Sequence, residues 1–339
     1  MNPWKPDISF PKLTFPDYIT LMRAILATKV PPKEVLDREL PVVSPNMGMI
    51  NAPPDTPEHV QVTWIGHSSY LVQFDGVNIL TDPVWSERCS PLPFAGPKRY
   101  RPVPMTISSL PKIDIVVVSH NHYDHLDITA VRQLPQGVLW LVPLGLKEWF
   151  NGKGIQNVVE MNWWDEYQYN NYVSVVMTPC QHWTRRYAFA DMNRTLWGSF
   201  MIKSTKHQGK NIYFSGDTGY CDAFKETSKM LGSVDLAFIP IGAYSPPHIM
   251  KHQHIDPSEA VEVHKDLGAN VSIGMHWGTF ILTPEPVLEP RQKLQQALQQ
   301  QNINPETFVT FKHGETRKML VKPTTSNPQQ TQKVLSQRQ

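Results

Sequence analysis

The sequence predicts an α/β fold with two β-sheets face to face and helices on the outer faces. Three observations point there. The apolar runs are short and β-branched, so they read as strands rather than helices. They fall into two arms, each strand-rich first and helical later. The strongest candidates for chemistry, the cluster at 120–125 and then His182, Asp217 and His276, each follow such a run. Strand ends on one edge of layered sheets converge, so separated stretches can build one site.

Residues 1–58 are rich in proline and hold one helical candidate, residues 16–29. Tyr18, Leu21, Met22, Ile25, Leu26 and Lys29 follow helical spacing, with Pro16 near the start and Pro31-Pro32 beyond the end. Its broad apolar face suits packing on the main domain, a lipid surface or a dimer contact. Strands follow at 60–65, 70–74 and 77–80, with Gly66-His67-Ser68-Ser69 as a turn and Asp75-Gly76 as a hairpin turn. Asp82 ends the third strand, as turn chemistry or as a carboxylate that orients a ligand histidine, and His67 is similarly placed near the site. The loop 85–105 carries the basic run Lys98-Arg99-Tyr100-Arg101, read as solvated or, for a lipid phosphate substrate, as meeting the headgroup or the bilayer.

The strand at 113–118 then runs into Ser119-His120-Asn121-His122-Tyr123-Asp124-His125. In an extended loop His120 and His122 point to one side and can share an ion; Asp124 and His125 lie one turn on and can reach a second. Imidazoles with carboxylates suit zinc and similar divalent ions. Two such ions roughly 3.5–4 Å apart would clamp a reacting oxygen. The alternative, a loop of hydrogen-bonded histidines, buries several titratable rings at high cost.

Asp127 caps the next helix, which stops before Pro135. Strands are expected at 138–142, 158–161 and 172–178, with a short helix at 145–150. His182 follows the last of these; its placement after the cluster makes it a ligand candidate. Strands at 197–202 and 211–214 lead to Ser215-Gly216-Asp217-Thr218-Gly219, where glycines allow the tight turn that brings Asp217 into the site. A strand at 234–240 leads to a loop ending in His252-Gln253-His254-Ile255-Asp256, where Asp256, Pro257 and Glu259 start a helix. A strand at 271–275 ends in His276; a helix at 287–300 and a strand at 308–311 follow. Beyond 321 the composition is Pro, Gln, Ser, Thr and Lys, and disorder is expected. The domains expected are a 1–58 segment, a 59–320 catalytic domain and a 321–339 tail.

At 339 residues and 40% hydrophobic, the chain can build a large core, and its net charge of +2 argues against a dedicated nucleic-acid binder. Three cysteines without a CxxC suggest neither a disulfide framework nor a cysteine zinc site, and fit a reducing compartment. Cys180 and Cys221 sit near the ligand candidates in sequence and read as small buried residues or as supports for the site. No signal peptide or apolar run of about 20 residues is visible, so membrane contact is expected to be peripheral.

The motif His120-Asn121-His122-Tyr123-Asp124-His125 with His182, Asp217 and His276 resembles the metallo-β-lactamase superfamily. That resemblance implies an αβ/βα four-layer sandwich and two Zn²⁺ per chain. His120, His122 and His182 would hold one ion, Asp124, His125 and His276 the other, with Asp217 bridging. The stretches GPKRYR, SHNHYDHLD, VPLGL, LWGS, GDTGYC, IPIGAY, QHIDPSEA, HWGTF and KHGE resemble the N-acyl-phosphatidylethanolamine-hydrolysing phospholipase D family, from Asn2-Pro3-Trp4 to about Leu320. The residues after His67 depart from it, where smaller apolar ones are more usual.

This likeness implies an enzyme that releases an N-acylethanolamine and phosphatidic acid, a metal-bridging hydroxide attacking phosphorus. It implies an intracellular homodimer attached peripherally to internal membranes, with a phospholipid and no nucleic acid as partner. Asp124 would also orient the nucleophile as a catalytic residue, and Gln253 and His254 match residues near the headgroup; His254 is otherwise a helix-entry residue. Helix 16–29 and the loop around Phe94 are candidates for an acyl groove. Another hydrolase of the same fold, a lactonase or nucleic-acid phosphodiesterase, shares such a ligand set, and a non-catalytic lipid-binding protein is the alternative of another class.

Overall fold

A computed structural model describes residues 14–187, 191–206 and 209–321. The first arm supplies strands β1 (His59–Gly66), β2 (Ser69–Phe74), β3 (Val77–Thr81), β4 (Ile115–Val117), β5 (Leu139–Pro143) and β6 (Val158–Met161). The second supplies β7 (Glu166–Gln168), β8 (Val173–Thr178), β9 (Ser199–Ser204), β10 (Lys210–Phe214), β11 (Leu236–Pro240), β12 (Val271–Met275) and β13 (Phe308–Val309). A last strand, β14 (Thr316–Leu320), returns to the first sheet beside β1, giving two seven-stranded sheets.

Both arms follow one plan. β1–β3 and β7–β10 are antiparallel meanders; β3–β6 and β10–β13 pair in parallel. Parallel neighbours need crossovers, and helices supply them. Helices α1 (Phe15–Ala27), α2 (Lys33–Glu39) and α3 (Met47–Asn51) precede the sheets, and α4 (Ile128–Gln133) and α5 (Lys147–Asn151) cross over the first. α6 (Ala223–Leu231), α7 (Pro247–Met250), α8 (Pro257–Asp266) and α9 (Glu289–Gln300) belong to the second.

Alternation sorts the side chains into layers. Ile115, Val117, Leu139 and Leu141 join the main core with Phe214 and Phe238 of the second sheet. Val116, Val118, Trp140 and Val142 face the other way, against Ala130 and Val131 of α4 and Phe150 of α5. Val261, Leu294 and Leu298 bring α8 and α9 onto the second sheet. This is the αβ/βα sandwich. Each large apolar side chain so buried stabilises by about 1.5–3 kcal/mol.

The structure departs from the sequence reading in several places. β7, β14, α6 and α7 fall where no element is expected. The expected strand at 308–311 stops at Val309, because pairing with β12 ends there and the chain crosses to the other sheet. The segment before 59 is more than one helix: Leu36, Leu40 and Ile50 are buried, and Val43 N–H donates to the His313 carbonyl. The basic run is not a headgroup surface. Arg99 and Arg101 point inward, Arg99 to the Val84 and Ser86 carbonyls and Arg101 to Asp37, leaving Lys98 exposed beside Glu87.

Helix α1 buries none of its described side chains; it is held where Thr28 donates to the Pro284 carbonyl, while Met22 and Leu26 stay exposed. Among the described residues no helix is long and apolar enough to cross a membrane. The expected tail disorder and the Asn2-Pro3-Trp4 likeness lie outside the described residues.

Candidate metal centre

Every ligand candidate stands at the same edge of the sandwich. β4 runs into the His120 loop, which closes a turn through His122: its carbonyl accepts from His125 N–H and Leu126 N–H. Asp127 caps α4 and ties the loop down by accepting from Trp85 and Ser86. His182 follows β8, Asp217 follows β10 and His276 follows β12. Gly216 makes this approach possible. It sits at φ +58°, and a Cβ there would lie 2.5 Å from the Ser119 Cβ, so the Asp217 loop reaches the histidine loop only with glycine at 216.

Hydrogen bonds at the backs of the rings set the tautomers. Asp82 accepts from Ser119 Oγ and from the His125 Nδ1–H at 2.6 Å. The Ser119 proton is thereby committed, so its Oγ accepts from His120 Nδ1–H. His182 Nδ1–H donates to the Gln253 carbonyl at 2.9 Å. In each case the outer nitrogen carries the proton, leaving an inward lone pair on Nε2. Asp82 therefore is the orienting carboxylate, and the Cys180 thiol supports Asp217 by donating to its carbonyl.

The inward atoms form two groups that share one carboxylate. His120 Nε2 is 2.8 Å and His182 Nε2 3.3 Å from His122 Nδ1. Asp124 Oδ2 is 3.4 Å from His125 Nε2 and 3.3 Å from His276 Nε2. Asp217 Oδ2 lies between them, 3.0 Å from His276, 3.1 Å from His125, 3.8 Å from His182 and 3.9 Å from His120. All seven residues expected from the sequence thus come together at one place.

Lone pairs aimed at each other in a buried place repel unless a cation lies among them. His125 Nε2 and Asp217 Oδ1 are buried without a hydrogen-bond partner among the described residues. Burial, with neighbouring positive charge on His125, pushes His120 well below the ordinary imidazole value, and burial pushes His122 down to about 4. On His125 burial also opposes charge, yet the facing Asp217, Asp124 and Asp82 outweigh it and raise the pKa well above normal. A divalent cation satisfies both tendencies, so the donor set fits metal ions.

The centre floors a cavity of about 600 Å³ lined by Asp124, Asp217, Gln253 and His254. His254 is buried, its Nδ1 has no hydrogen-bond partner among the described residues and stands 3.9 Å from Asp217 Oδ2, while burial lowers its pKa to about 4. Gln253 lines the cavity and supports His182 through its carbonyl. Cys89 and Pro91 of the proline-rich loop and Leu282 and Thr283 form other walls.

Arg185 and Arg186 also line this cavity and escaped the sequence reading. Arg185 stacks on Trp183, and Arg186 is buried, donating to the Asn121 and Leu126 carbonyls. Their signal is the run His182-Trp183-Thr184-Arg185-Arg186, two cations just after a ligand candidate.

Fold and site define a hydrolase of the β-lactamase superfamily, and the model of the beta-lactamase superfamily domain matches residues 77–277. Solved structures agree on the fold. A metallo hydrolase from Ignicoccus hospitalis (24% identity, TM-score 0.57) covers 78% of this chain and 100% of its own. An isothiocyanate hydrolase from Delia radicum gut bacteria (18%, TM-score 0.63) covers 77% and 100%. More narrowly, the chain belongs to the N-acyl-phosphatidylethanolamine-hydrolyzing phospholipase D family. It is 43% identical over 298 residues to phospholipase D 1 of that name from Caenorhabditis elegans, over 84% of this chain and 81% of the relative. The mitochondrial enzyme of that name from Saccharomyces cerevisiae is 39% identical over 69% of this chain and 50% of its own length.

Proposed function

We propose that this chain is a zinc-dependent phosphodiesterase of the phospholipase D type that hydrolyses N-acyl-phosphatidylethanolamine to N-acylethanolamine and phosphatidic acid. His120, His122 and His182 would hold one zinc, Asp124, His125 and His276 a second, with Asp217 shared. The observation that carries this reading is the position of Asp217 Oδ2 between two ligand groups on the floor of an open cavity. The family's substrate supports the choice of phosphodiester.

When bound, such ions supply Lewis acidity toward phosphate oxygens and make water nucleophilic near neutral pH. Asp124 faces the cavity beside His125 and His276, placed to accept from an attacking water and aim it. The water oxygen bonds to phosphorus; the bond from phosphorus to the acylethanolamine oxygen breaks, and that oxygen takes a proton. His254, neutral in its burial, offers a hydrogen bond to this oxygen, and Arg185 offers charge to the phosphate. Exposed Leu92 and Phe94 follow the wall residue Pro91, and exposed Met22 and Leu26 precede Thr28, which makes the Pro284 contact. These apolar groups suit peripheral attachment to an internal membrane, with acyl chains leaving the cavity between them. A homodimer belongs to the same reading.

The test is release of N-acylethanolamine from N-acyl-phosphatidylethanolamine in mixed micelles, parent against Asp124→Asn. Release by the parent alone supports the reading. A zinc-loaded but inactive parent defeats the substrate choice and leaves the metal centre standing.

A further inference from the structure

The turn after β1 holds a histidine in a conformation that side chains rarely adopt. Gly66 sits at φ 131° and His67 at φ 54°, where the β1–β2 register shifts. A non-glycine residue persists there only when its surroundings over-determine it, and such strain gathers at functional sites. The frame around His67 does that. Its N–H donates to Thr279 Oγ1 at 2.7 Å, and its carbonyl accepts from Trp64 Nε1 at 3.0 Å. Thr279 Oγ1 also pairs with the buried His313 at 3.2 Å, whose ring stacks on Trp64. The stretch after His313 braces the same turn: Gly314 N–H donates to the Trp64 carbonyl, and Trp64 N–H donates to the Glu315 carbonyl.

The ring itself is buried, lies 4.1 Å from the His276 ring centre and places Nε2 3.1 Å from Asp124 Oδ2. His67 Nδ1 is buried without a partner among the described residues. A proton on Nδ1 would leave an unpaired buried donor, at about 1–3 kcal/mol, and aim a lone pair at a carboxylate. A proton on Nε2 removes both problems. This reverses the tautomer found at His120, His125 and His182, whose outer nitrogens carry the proton. A nitrogen that carries a proton is not a metal ligand. His276 Nδ1 is likewise without a partner among the described residues, but its Nε2 reaches both Asp124 and Asp217, and the residue lines a cavity of about 20 Å³, enough for one water.

We infer that His67 is a positioning residue: it donates from Nε2–H to Asp124 and holds that carboxylate toward the metal centre without joining it. This rests on the metal-centre reading and not on the choice of lipid.

The experiment uses the full chain loaded with zinc and compares His67→Phe with His67→Gln. Zinc per chain is counted by elemental analysis, and zinc affinity is measured by competition with a chromophoric chelator. Turnover is followed on the micellar lipid. His67→Phe keeps a ring and removes the donor. It should bind as much zinc as the parent at saturation, hold its weaker zinc about 10–100-fold less tightly and lose kcat by a similar factor at unchanged KM. His67→Gln, which restores an N–H, should recover most of both. Should His67→Phe not fold, Thr279→Val loosens the frame instead and should weaken zinc in the same direction by less. Loss of a whole zinc at saturation would make His67 a ligand and overturn the inference. So would equal behaviour of Phe and Gln, or parental zinc affinity and kcat in both. A parent that binds no zinc defeats the metal centre itself.

Discussion

The two ends of the sandwich bury charge in opposite ways. At the end away from the site, the β2–β3 turn places Asp75 in the interior. Its carboxylate accepts from Lys210 Nζ at 2.6 Å and from Ser204 Oγ at 2.6 Å, joining the two sheets. Lys210 and Asp75 are almost fully buried, and each charge finds its opposite within the protein. At the other end, lone pairs and carboxylates converge with atoms left unpartnered. The difference separates structure from chemistry. A closed pair holds a fold together, whereas an open set asks for something from outside.

Four experiments can break or sharpen that contrast. The largest expected effect is at the closed end. Asp75→Ala strands Lys210 and should cost about 3–5 kcal/mol in urea unfolding, with zinc content of the folded protein unchanged. Adding Lys210→Met should recover much of it. Asp217→Asn should do the reverse. Hydrolysis should fall by more than about a hundredfold, since even residues behind the ligands are worth 10–100-fold, while metal-free stability changes less than in Asp75→Ala. Asp82→Asn, behind His125, should weaken metal binding about 10–100-fold by chelator competition. A closed-end substitution that strips zinc, or an open-end one that costs more stability than Asp75→Ala, would erase the distinction.

The smallest effect is a pH dependence that belongs to the scaffold. Burial lowers His264, paired with Ser272, to about 4. Its unfolded form binds a proton first as pH falls below about 6.5, so the stability it contributes is present above that value and is lost toward pH 4. Between pH 7 and 5.5 the loss should be about 1 kcal/mol. His264→Gln should flatten that part of the urea-midpoint profile.

The clustering of the candidate ligands was legible because they fall on strand ends and their types are rarely gathered without a cation. The sheets were legible wherever short apolar runs are buried on both faces, as at β4 and β5. β14 was not: Thr-Arg-Lys-Met-Leu at a sheet edge buries only Met319 and leaves no apolar period to read. Arg99 and Arg101 misled for a related reason. A basic run reads as solvated, and only the folded chain shows that carbonyls at Val84 and Ser86 and the carboxylate of Asp37 need donors there. His67 stood between these cases: its nearness to the site was visible, its strained backbone and its grip on Asp124 were not.

The return of β14 to the first sheet also sets a timetable for synthesis. Thr63 of β1 meets Thr316 of β14, 253 positions later. At roughly 5–20 residues per second a ribosome needs on the order of ten to fifty seconds to cover that distance. For all of it the outer edge of β1 has no partner, and an open edge is where nascent chains pair with one another. Stop codons that remove β14 should thus show up first as aggregation in the cell rather than as lost turnover.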